Sequence, residues 1–157
     1  MRKALCICLA IIMFSAIPLA AQSPKTSAGA QLKELVPQIV ASWESFDLSK
    51  ISPYYADDPD LAFFDLAPMK YNNWAEYKAG AQKEFFDVNK SMHIKIADLR
   101  IHTHGSFAWA TFTFGADLVN KQDASSHVDG RWTMILEKRG ARWVVVHEHV
   151  SAPLATP

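Results

Sequence analysis

The sequence predicts an α+β fold in which a mostly antiparallel sheet packs against N-terminal helices and can curve into a cone around them. Two observations support this prediction. Apolar residues recur at helical spacing in the first part of the chain, and four runs with strand-like alternation follow Asn89. Helices that precede a strand meander are typical of α+β proteins, and a sheet covered by helices on one face can curl into an open cone.

Three helical segments are expected. The apolar face of the first extends from Leu32 to Phe46, and Pro37 either kinks this helix or marks its start. Asp47 is expected to cap a short second helix. Asn73, with Glu76 three residues later, forms a capping pattern for the third helix. The apolar stripe of that helix comprises Trp74, Tyr77, Ala81 and Phe85.

The β-like runs span residues 92–103, 107–119, 127–138 and 142–151, and residues 61–64 form a further short strand. Alternation in the last three runs assigns one face to the core. That face carries Ala108, Ala110, Phe112, Phe114, Trp132, Met134, Leu136, Val144, Val146 and Val150. This assignment assumes a three-residue connection at 139–141, because a two-residue turn would place opposite alternations side by side.

The first 21 residues are typical of a secretory signal peptide. Arg2 and Lys3 precede an apolar run from Ala4 to Leu19, and the small residues Ala20 and Ala21 mark the expected cleavage site. The alternative is a membrane anchor, but the run is shorter than the ~20 residues that span a bilayer. We therefore expect an exported protein, periplasmic or secreted, with no membrane association after cleavage.

The remaining chain is predicted to comprise a flexible leader at 22–30, one domain at 31–153 and a tail at 154–157. The formal net charge of the 157 residues is zero, so the basic excess expected of a nucleic-acid-binding protein is absent. Both cysteines, Cys6 and Cys8, precede the expected cleavage site. The mature domain therefore contains neither a disulfide nor a thiol nucleophile.

Glu148 is a charged residue among the core-facing positions of the last strand. Because an apolar environment disfavours its charged form, its pKa should rise, and it is a candidate general acid or base. The alternative is a structural carboxylate that pairs with Arg131 or reaches water. Asp65 is the second candidate base, and its alternative role is in a turn or a cap.

Tyr54 and Tyr55 are candidate oxyanion donors, with packing at the pocket rim as the alternative. The predicted ligand-binding residues are Trp43, Tyr71, Trp74, Phe112, Arg131, Trp132, Met134, His147 and His149. Arg131, His147 and His149 belong to the face opposite the core. That face also carries Trp109 and Trp143, so it is a candidate homodimer interface.

Two H-x-H motifs, at 102–104 and 147–149, could suggest a metal site. Counting through the hairpins places His147 beside Thr133. It places His102, three strands away, in a row with Trp109 and Glu137. The separation is too large for four ligands around one ion, so neither a metal nor another cofactor is predicted.

The closing hairpin, residues 130–138 and 142–151, resembles that of SnoaL-like domains in the ketosteroid-isomerase-like branch of the nuclear transport factor two superfamily. Residues 43–48, 55–58, 63–65 and 71–77 are similar to the opening elements of that family. The likeness covers about residues 32–153, although the closing turn carries Gly140-Ala141 instead of the common Asp-Gly. The resemblance implies a cone-shaped fold, a pocket between sheet and helices, and frequent dimers.

The resemblance leaves the activity open, because family members include isomerases, dehydratases, hydrolases and non-catalytic binding or assembly domains. The first hypothesis is an exported protein that binds a small, mostly apolar molecule in the pocket. The second is an isomerase or dehydratase that uses acid–base catalysis there. The third is a non-catalytic assembly module that self-associates through the face opposite the core.

Overall fold

A computed structural model describes residues 27–154 and contains a curled, four-stranded antiparallel sheet in the order β1-β2-β3-β4. The strands are β1 (Asn89–His104), β2 (Phe107–Asn120), β3 (Ser125–Arg139) and β4 (Arg142–Ser151). The four strands predicted after Asn89 are all present, and their observed ends differ from the predicted ones by at most three residues. The predicted α+β class is confirmed, and the helices cover one face of the sheet.

Helix α1 (Ala28–Trp43) begins after Ser27, whose Oγ accepts a hydrogen bond from the Ala30 N–H at 3.2 Å. The last three residues of the predicted flexible leader are therefore helical. Pro37 lies inside the helix, which neither begins nor ends there. The predicted signal peptide, the rest of the leader and tail residues 155–157 lie outside the described residues. Within residues 27–154, no helix has the length and apolar character needed to cross a bilayer.

Two shorter helices follow. Asp47 caps α2 (Leu48–Ile51) by accepting from the Ser49 N–H at 2.9 Å, as predicted, and a 3-10 turn continues to Tyr54. Asn73 caps α3 (Trp74–Gly80) by accepting from the Glu76 N–H at 2.9 Å. The predicted capping pattern is therefore present.

A π-helical segment, Ala81–Phe86, continues α3 toward β1. Such wide turns displace side chains from the positions that α-helical spacing would give them, and they are frequent at functional sites. This segment is therefore a place where an α-helical pattern gives incomplete information about which side chains face inward.

The predicted alternation is correct in β2 and β3 but wrong in the first half of β4. Arg139 pairs with Arg142, so the hairpin has the two-residue turn Gly140-Ala141 instead of the expected three-residue connection. Gly140 has a φ of 62°, which suits the first position of such a turn. As a result, Trp143 and Val145 are buried although they were predicted to lie on the opposite face.

A β-bulge then restores the predicted alternation. Leu136 pairs with Val145 and Ile135 pairs with His147, which leaves Val146 as the extra residue. Val146, predicted to face the core, is only half-buried. Beyond the bulge, Glu148 lies opposite Met134 on the core face, as predicted.

The bulge and the shorter turn also change the expected histidine register. His147 pairs with Ile135, not with Thr133, and Ile135 pairs with Trp109, which pairs with His102. His102 and His147 therefore share one cross-strand row, at opposite edges of the sheet. In residues 27–154, no group of three or more histidine, cysteine or acidic side chains is arranged to hold a metal ion.

The predicted strand at 61–64 is reduced to isolated bridges. Phe63 pairs with Tyr71, and Phe64 pairs in parallel with His149 of β4. The Phe64 N–H donates to the Glu148 carbonyl and the Phe64 carbonyl accepts from the Val150 N–H, both at 2.9 Å. This docking fixes the start of the following loop beside the end of β4.

Candidate functional site

A cavity of about 290 Å³ lies between the concave face of the sheet and the helical segments. Its size is close to the lower end of the range that is typical of small-molecule sites. The strands contribute Met92, Ile94, Phe114, Ala116, Leu118, Val128, Trp132 and Val150. The opposite wall consists of Trp43, Asp65, Leu66, Ala67, Tyr71, Tyr77, Gly80, Ala81, Glu84 and Phe85. Most of this surface is apolar, and its carboxyl and hydroxyl groups lie on the wall opposite the strands.

Asp65 is an acidic group in the wall, placed there by the loop that follows Phe64. Its Oδ1 accepts a hydrogen bond from the Leu66 N–H at 2.7 Å. Burial raises the pKa of Asp65, and the hydrogen bond from the Leu66 N–H, followed by the effect of the neighbouring Tyr77 hydroxyl, offsets part of that rise. A carboxyl group whose pKa moves toward neutrality is suited to proton transfer.

Glu148 is completely buried behind the cavity wall. Its Oε2 accepts hydrogen bonds from the Tyr55 hydroxyl at 2.7 Å and from the Trp132 Nε1–H at 3.1 Å. Its Oε1 accepts from the Tyr77 hydroxyl at 2.5 Å. Arg131, the alternative ion-pair partner, is exposed and forms no salt bridge with Glu148. Three neutral donors therefore hold this carboxylate.

Burial raises the pKa of Glu148 from its ordinary value of 4.5 to about 7. The hydrogen bonds from Tyr77, Tyr55 and Trp132 favour the ionised form and oppose this rise. The negative charge of Asp65 acts in the same direction as burial. Near neutral pH, Glu148 is therefore able to exist in both protonation states, as the apolar surroundings predicted.

Tyr77 connects buried Glu148 with the cavity. Its hydroxyl donates to Glu148, while its ring lines the cavity and stacks on Tyr71 with centroids 4.8 Å apart. Burial, followed by the negative charges of Glu148 and Asp65, raises the pKa of Tyr77 well above its ordinary value, so the hydroxyl stays protonated. Because this hydroxyl also interacts with Asp65, the three groups form a continuous polar path out of the core.

Tyr55 supports the buried end of this path. Its hydroxyl donates to Glu148 and accepts from the Trp43 Nε1–H at 2.9 Å. Its ring stacks on Trp74 with a centroid separation of 4.2 Å. Because Tyr55 does not line the cavity, it positions Glu148 and does not face a ligand directly.

Tyr71 packs closely against α3 because residue 80 is glycine. A Cβ atom added at Gly80 would lie 2.2 Å from the Tyr71 ring, well inside van der Waals contact. Burial raises the pKa of Tyr71 to about 12, with smaller contributions from the charges of Asp65 and Glu84. The glycine thus allows an aromatic ring and its hydroxyl to complete the cavity wall.

The predicted site residues fall into three groups. The residues in the cavity wall are Asp65, Trp43, Tyr71 and Trp132. The residues buried behind it are Glu148, Tyr55, Trp74, Phe112 and Met134. The residues away from it are Tyr54, Arg131, His147 and His149.

The last group does not reach the cavity for geometric reasons. Tyr54 lies at a separate surface depression, where it cannot serve as an oxyanion donor to a molecule in the cavity. Residues 131, 147 and 149 project from the opposite face, because neighbouring side chains on a strand alternate. His147 Nδ1 lies 2.7 Å from the carbonyl oxygen of Ala62. The rings of His147 and His149 both contact the Phe64 ring in an edge-to-face arrangement.

Tyr77 and Glu84 belong to the site although the sequence pattern does not single them out. Tyr77 fits the apolar stripe of its helix, and its one distinguishing signal is a hydroxyl group on that stripe. Glu84 follows Tyr77 by seven residues and Ala81 by three, so it lies on the side of the helix that lines the cavity. Because it is charged, the apolar stripe does not identify it.

The sequence model of the SnoaL-like domain matches residues 32–155. No match to a curated protein was found. Many solved structures are similar. A nuclear transport factor 2-like protein of unknown function from Pseudomonas putida is 25% identical, with a TM-score of 0.70 over 82% of this chain and 88% of the other.

Two further solved structures show the same fold at lower identity. A candidate calcium/calmodulin-dependent protein kinase II association domain from Xanthomonas campestris is 18% identical, with a TM-score of 0.71 over 87% of this chain and 95% of the other. A candidate dehydratase of the nuclear transport factor 2-like family from Streptomyces avermitilis is 13% identical, with a TM-score of 0.69 over 80% and 96%. Proteins to which very different roles are assigned therefore share this fold.

Proposed function

The chain belongs to the SnoaL-like domain family, and on that premise we propose that it binds a small, mostly apolar molecule in its cavity. The observation that supports this proposal is the cavity itself. A mostly apolar space of about 290 Å³ is bordered by a few polar groups on one wall. Such a combination is typical of ligand sites, in which apolar walls provide affinity and a few polar groups provide orientation.

Aromatic rings make this cavity suitable for a flat ligand. Trp132 projects from the sheet and Trp43 from α1, while Tyr71, Tyr77 and Phe85 lie on the helical side. Removal of an apolar molecule from water onto such rings is favourable by about 25 cal/mol per Å² of buried apolar area. A bicyclic compound is therefore an appropriate probe.

The first test is native mass spectrometry of the protein purified gently from its own host, which would reveal a retained small molecule. Calorimetric titration with apolar bicyclic compounds is the second. Met92→Trp, which places a larger side chain in the cavity wall, should weaken binding about tenfold or more through steric exclusion. Met69→Trp is the matched control, because Met69 is 89% exposed and outside this cavity.

Equal affinity of these two variants and the wild type would place binding elsewhere on the protein. The absence of any bound compound in a broad panel, together with an empty native protein, would contradict the proposed function.

A second candidate function is acid–base catalysis, favoured by the placement of Asp65 in the cavity wall and its raised pKa. Asp65 would act as the base that contacts a substrate. Tyr77 and Glu148 would act through it as positioning residues, since Glu148 does not line the cavity. This is the isomerase or dehydratase hypothesis, with Asp65 rather than Glu148 or Tyr54 in contact with the substrate.

Hydrogen–deuterium exchange at the carbons next to the carbonyl of a cyclic ketone, such as 2-tetralone, would test this candidate by NMR. Exchange faster than in buffer, and lost in Asp65→Asn, would support catalysis. Saturable binding of the ketone with no acceleration of exchange would leave binding alone as the function.

Self-association is a further proposal for the face opposite the core. Trp109 is 43% exposed there and stacks on His102 with centroids 5.1 Å apart, and Phe107 is 48% exposed. These rings lie on the adjacent strands β1 and β2 and form an exposed apolar surface that a second copy of the chain could cover. Sedimentation velocity should detect a homodimer that Trp109→Ser weakens, whereas a monomer at high concentration would exclude it.

Export remains a proposal that rests on the signal-like residues 1–21. Mass measurement of the protein recovered outside the cytoplasm should give a chain that begins at Gln22. An intact N-terminus in the cytoplasmic fraction alone would contradict export.

A further inference from the structure

The charged residues in the cavity wall are all acidic. Of the 18 residues that line the cavity, Asp65 and Glu84 are acidic, and none is lysine, arginine or histidine in the part of the chain that the structure describes. An anionic ligand in this cavity would lie beside like charges with no cation to balance it, which is costly in an apolar environment. The composition of the wall therefore selects against carboxylates and phosphates.

Asp65 is the carboxylate in the better position to meet a ligand. The groups that lower its pKa are the Leu66 N–H and the Tyr77 hydroxyl, and neither carries a positive charge. Lys70 and His149 share a neighbouring depression with Asp65, yet neither lowers its pKa. Within residues 27–154, Asp65 forms no ion pair with a lysine, arginine or histidine, so the carboxylate is part-buried without a cationic partner there.

Glu84 adds negative charge at the rim of the cavity. Its Oε1 lies 2.8 Å from the Lys83 Nζ, but both side chains are more than half exposed, so this pair is weak. The charges of Asp65 and Glu84 both contribute to the raised pKa of Tyr71, which also lines the cavity. Asp65 and Glu84 therefore give the wall opposite the strands a negative charge that faces the cavity.

The remaining walls provide a second feature that suits a cation. Six aromatic side chains surround the cavity: Trp43, Tyr71, Tyr77, Phe85, Phe114 and Trp132. The faces of such rings attract ammonium groups within about 6 Å of the ring centre, and they also pack against apolar groups. Rings combined with an unpaired carboxylate are complementary to a molecule with a cationic end and an apolar body.

We propose that the ligand of this cavity is a small apolar amine, whose protonated nitrogen faces Asp65 and whose apolar body lies against the aromatic rings. This proposal rests on the proposed function, because it names the ligand class of the same cavity. The amine supplies the positive charge that the wall lacks. It forms a charge-assisted hydrogen bond with Asp65, a stronger interaction than one between neutral groups.

Calorimetric titration with matched sets of an amine, an alcohol and a carboxylate, each on phenyl, naphthyl and indolyl bodies, tests this proposal. The amine should bind about tenfold or more tightly than the alcohol of the same shape, and the carboxylate should bind most weakly. Asp65→Asn should reduce the affinity for the amine to about that for the alcohol, because the amide carries no charge. Circular dichroism of this variant and the wild type checks that both are folded.

Two further variants separate local from general charge effects. Glu84→Gln should reduce amine affinity less than Asp65→Asn does, because Glu84 is more exposed and paired with Lys83. Glu34→Gln removes an exposed acidic group of α1 outside the cavity and should have no effect.

The results distinguish the two proposals. Alcohols or carboxylates that bind as tightly as amines, or an amine preference that persists in Asp65→Asn, would overturn the amine proposal and leave the binding function intact. Failure of all nine compounds to bind would count against the binding function itself.

Discussion

Glu148→Gln is expected to change how stability depends on pH. Folding raises the pKa of Glu148 from 4.5 to about 7, so the native state binds this proton more tightly than the unfolded chain does. The contribution of Glu148 to stability is therefore fully present below pH 4.5. The native state loses this contribution as the pH rises toward 7, since the unfolded chain releases the proton more easily.

The magnitude follows from the two pKa values. At ~1.4 kcal/mol for each pKa unit, the rise to about 7 corresponds to about 3 kcal/mol across the whole window. Roughly 2 to 3 kcal/mol of this falls between about pH 5 and about pH 8. Because domains of this size are stable by about 5–15 kcal/mol, the loss should be easy to measure.

Urea unfolding at a series of pH values, monitored by circular dichroism, gives the free energy of unfolding of wild type and variant. Hydrogen bonds to Asp117 and Asp129 raise the pKa of His127, so its contribution to stability also decreases as the pH rises. His127 is present in both proteins. The informative quantity is therefore the difference between them.

As the pH rises from about 5 to about 8, the free energy of unfolding should decrease more for the wild type than for Glu148→Gln. The glutamine retains an oxygen acceptor for Tyr55 and Trp132 without the cost of a buried charge. Parallel curves for the two proteins would show that Glu148 has the same proton affinity in the folded and unfolded states, and the reasoning would be refuted.

Two other substitutions test, by the same unfolding assay, the hydrogen bond from Tyr77 to Glu148 and the packing of Tyr71 against Gly80. Tyr77→Phe removes the donor to Glu148 Oε1 and should destabilise the fold by about 1–3 kcal/mol, with a further rise in the pKa of Glu148; unchanged stability would contradict this role. Gly80→Ala should displace Tyr71 and cost about 1–3 kcal/mol through overpacking. Gly29→Ala is its control, because an added Cβ there meets nothing within 4 Å and should be neutral or stabilising.

The strands and their core faces could be predicted from the sequence because each strand buries one face. Ala108 through Phe114 on β2 and Trp132 through Leu136 on β3 follow strict alternation, and their partners confirm it. The carboxylate at Glu148 was identified for the same reason. A charge at a core-facing position stands out against apolar neighbours.

The beginning of β4 could not be predicted because two local features compensate for each other. A two-residue turn reverses the alternation and the bulge at Val146 restores it, so the end of the strand fits either interpretation. The sequence around Val146 is a run of valines, which carries no alternation signal. Only the pairing with β3 determines where the extra residue lies.

The partners of Glu148 were beyond prediction for a different reason. Tyr55 and Tyr77 are 93 and 71 residues away from it, and tyrosine in an amphipathic segment gives no sign of its hydroxyl partner. Tyr54 and Tyr55 are equivalent in sequence, yet only the second points into the core. The choice between them depends on how the 3-10 turn meets β4.

The ring of donors around Glu148 has a consequence for the folding reaction. The donors come from three regions of the chain, two of them remote from β4, so the carboxylate can leave water at low cost only after these regions have assembled. A collapsed chain with a misplaced helix would bury this group without its donors. Such non-native states are thereby disfavoured, and the last steps of assembly should be strongly cooperative.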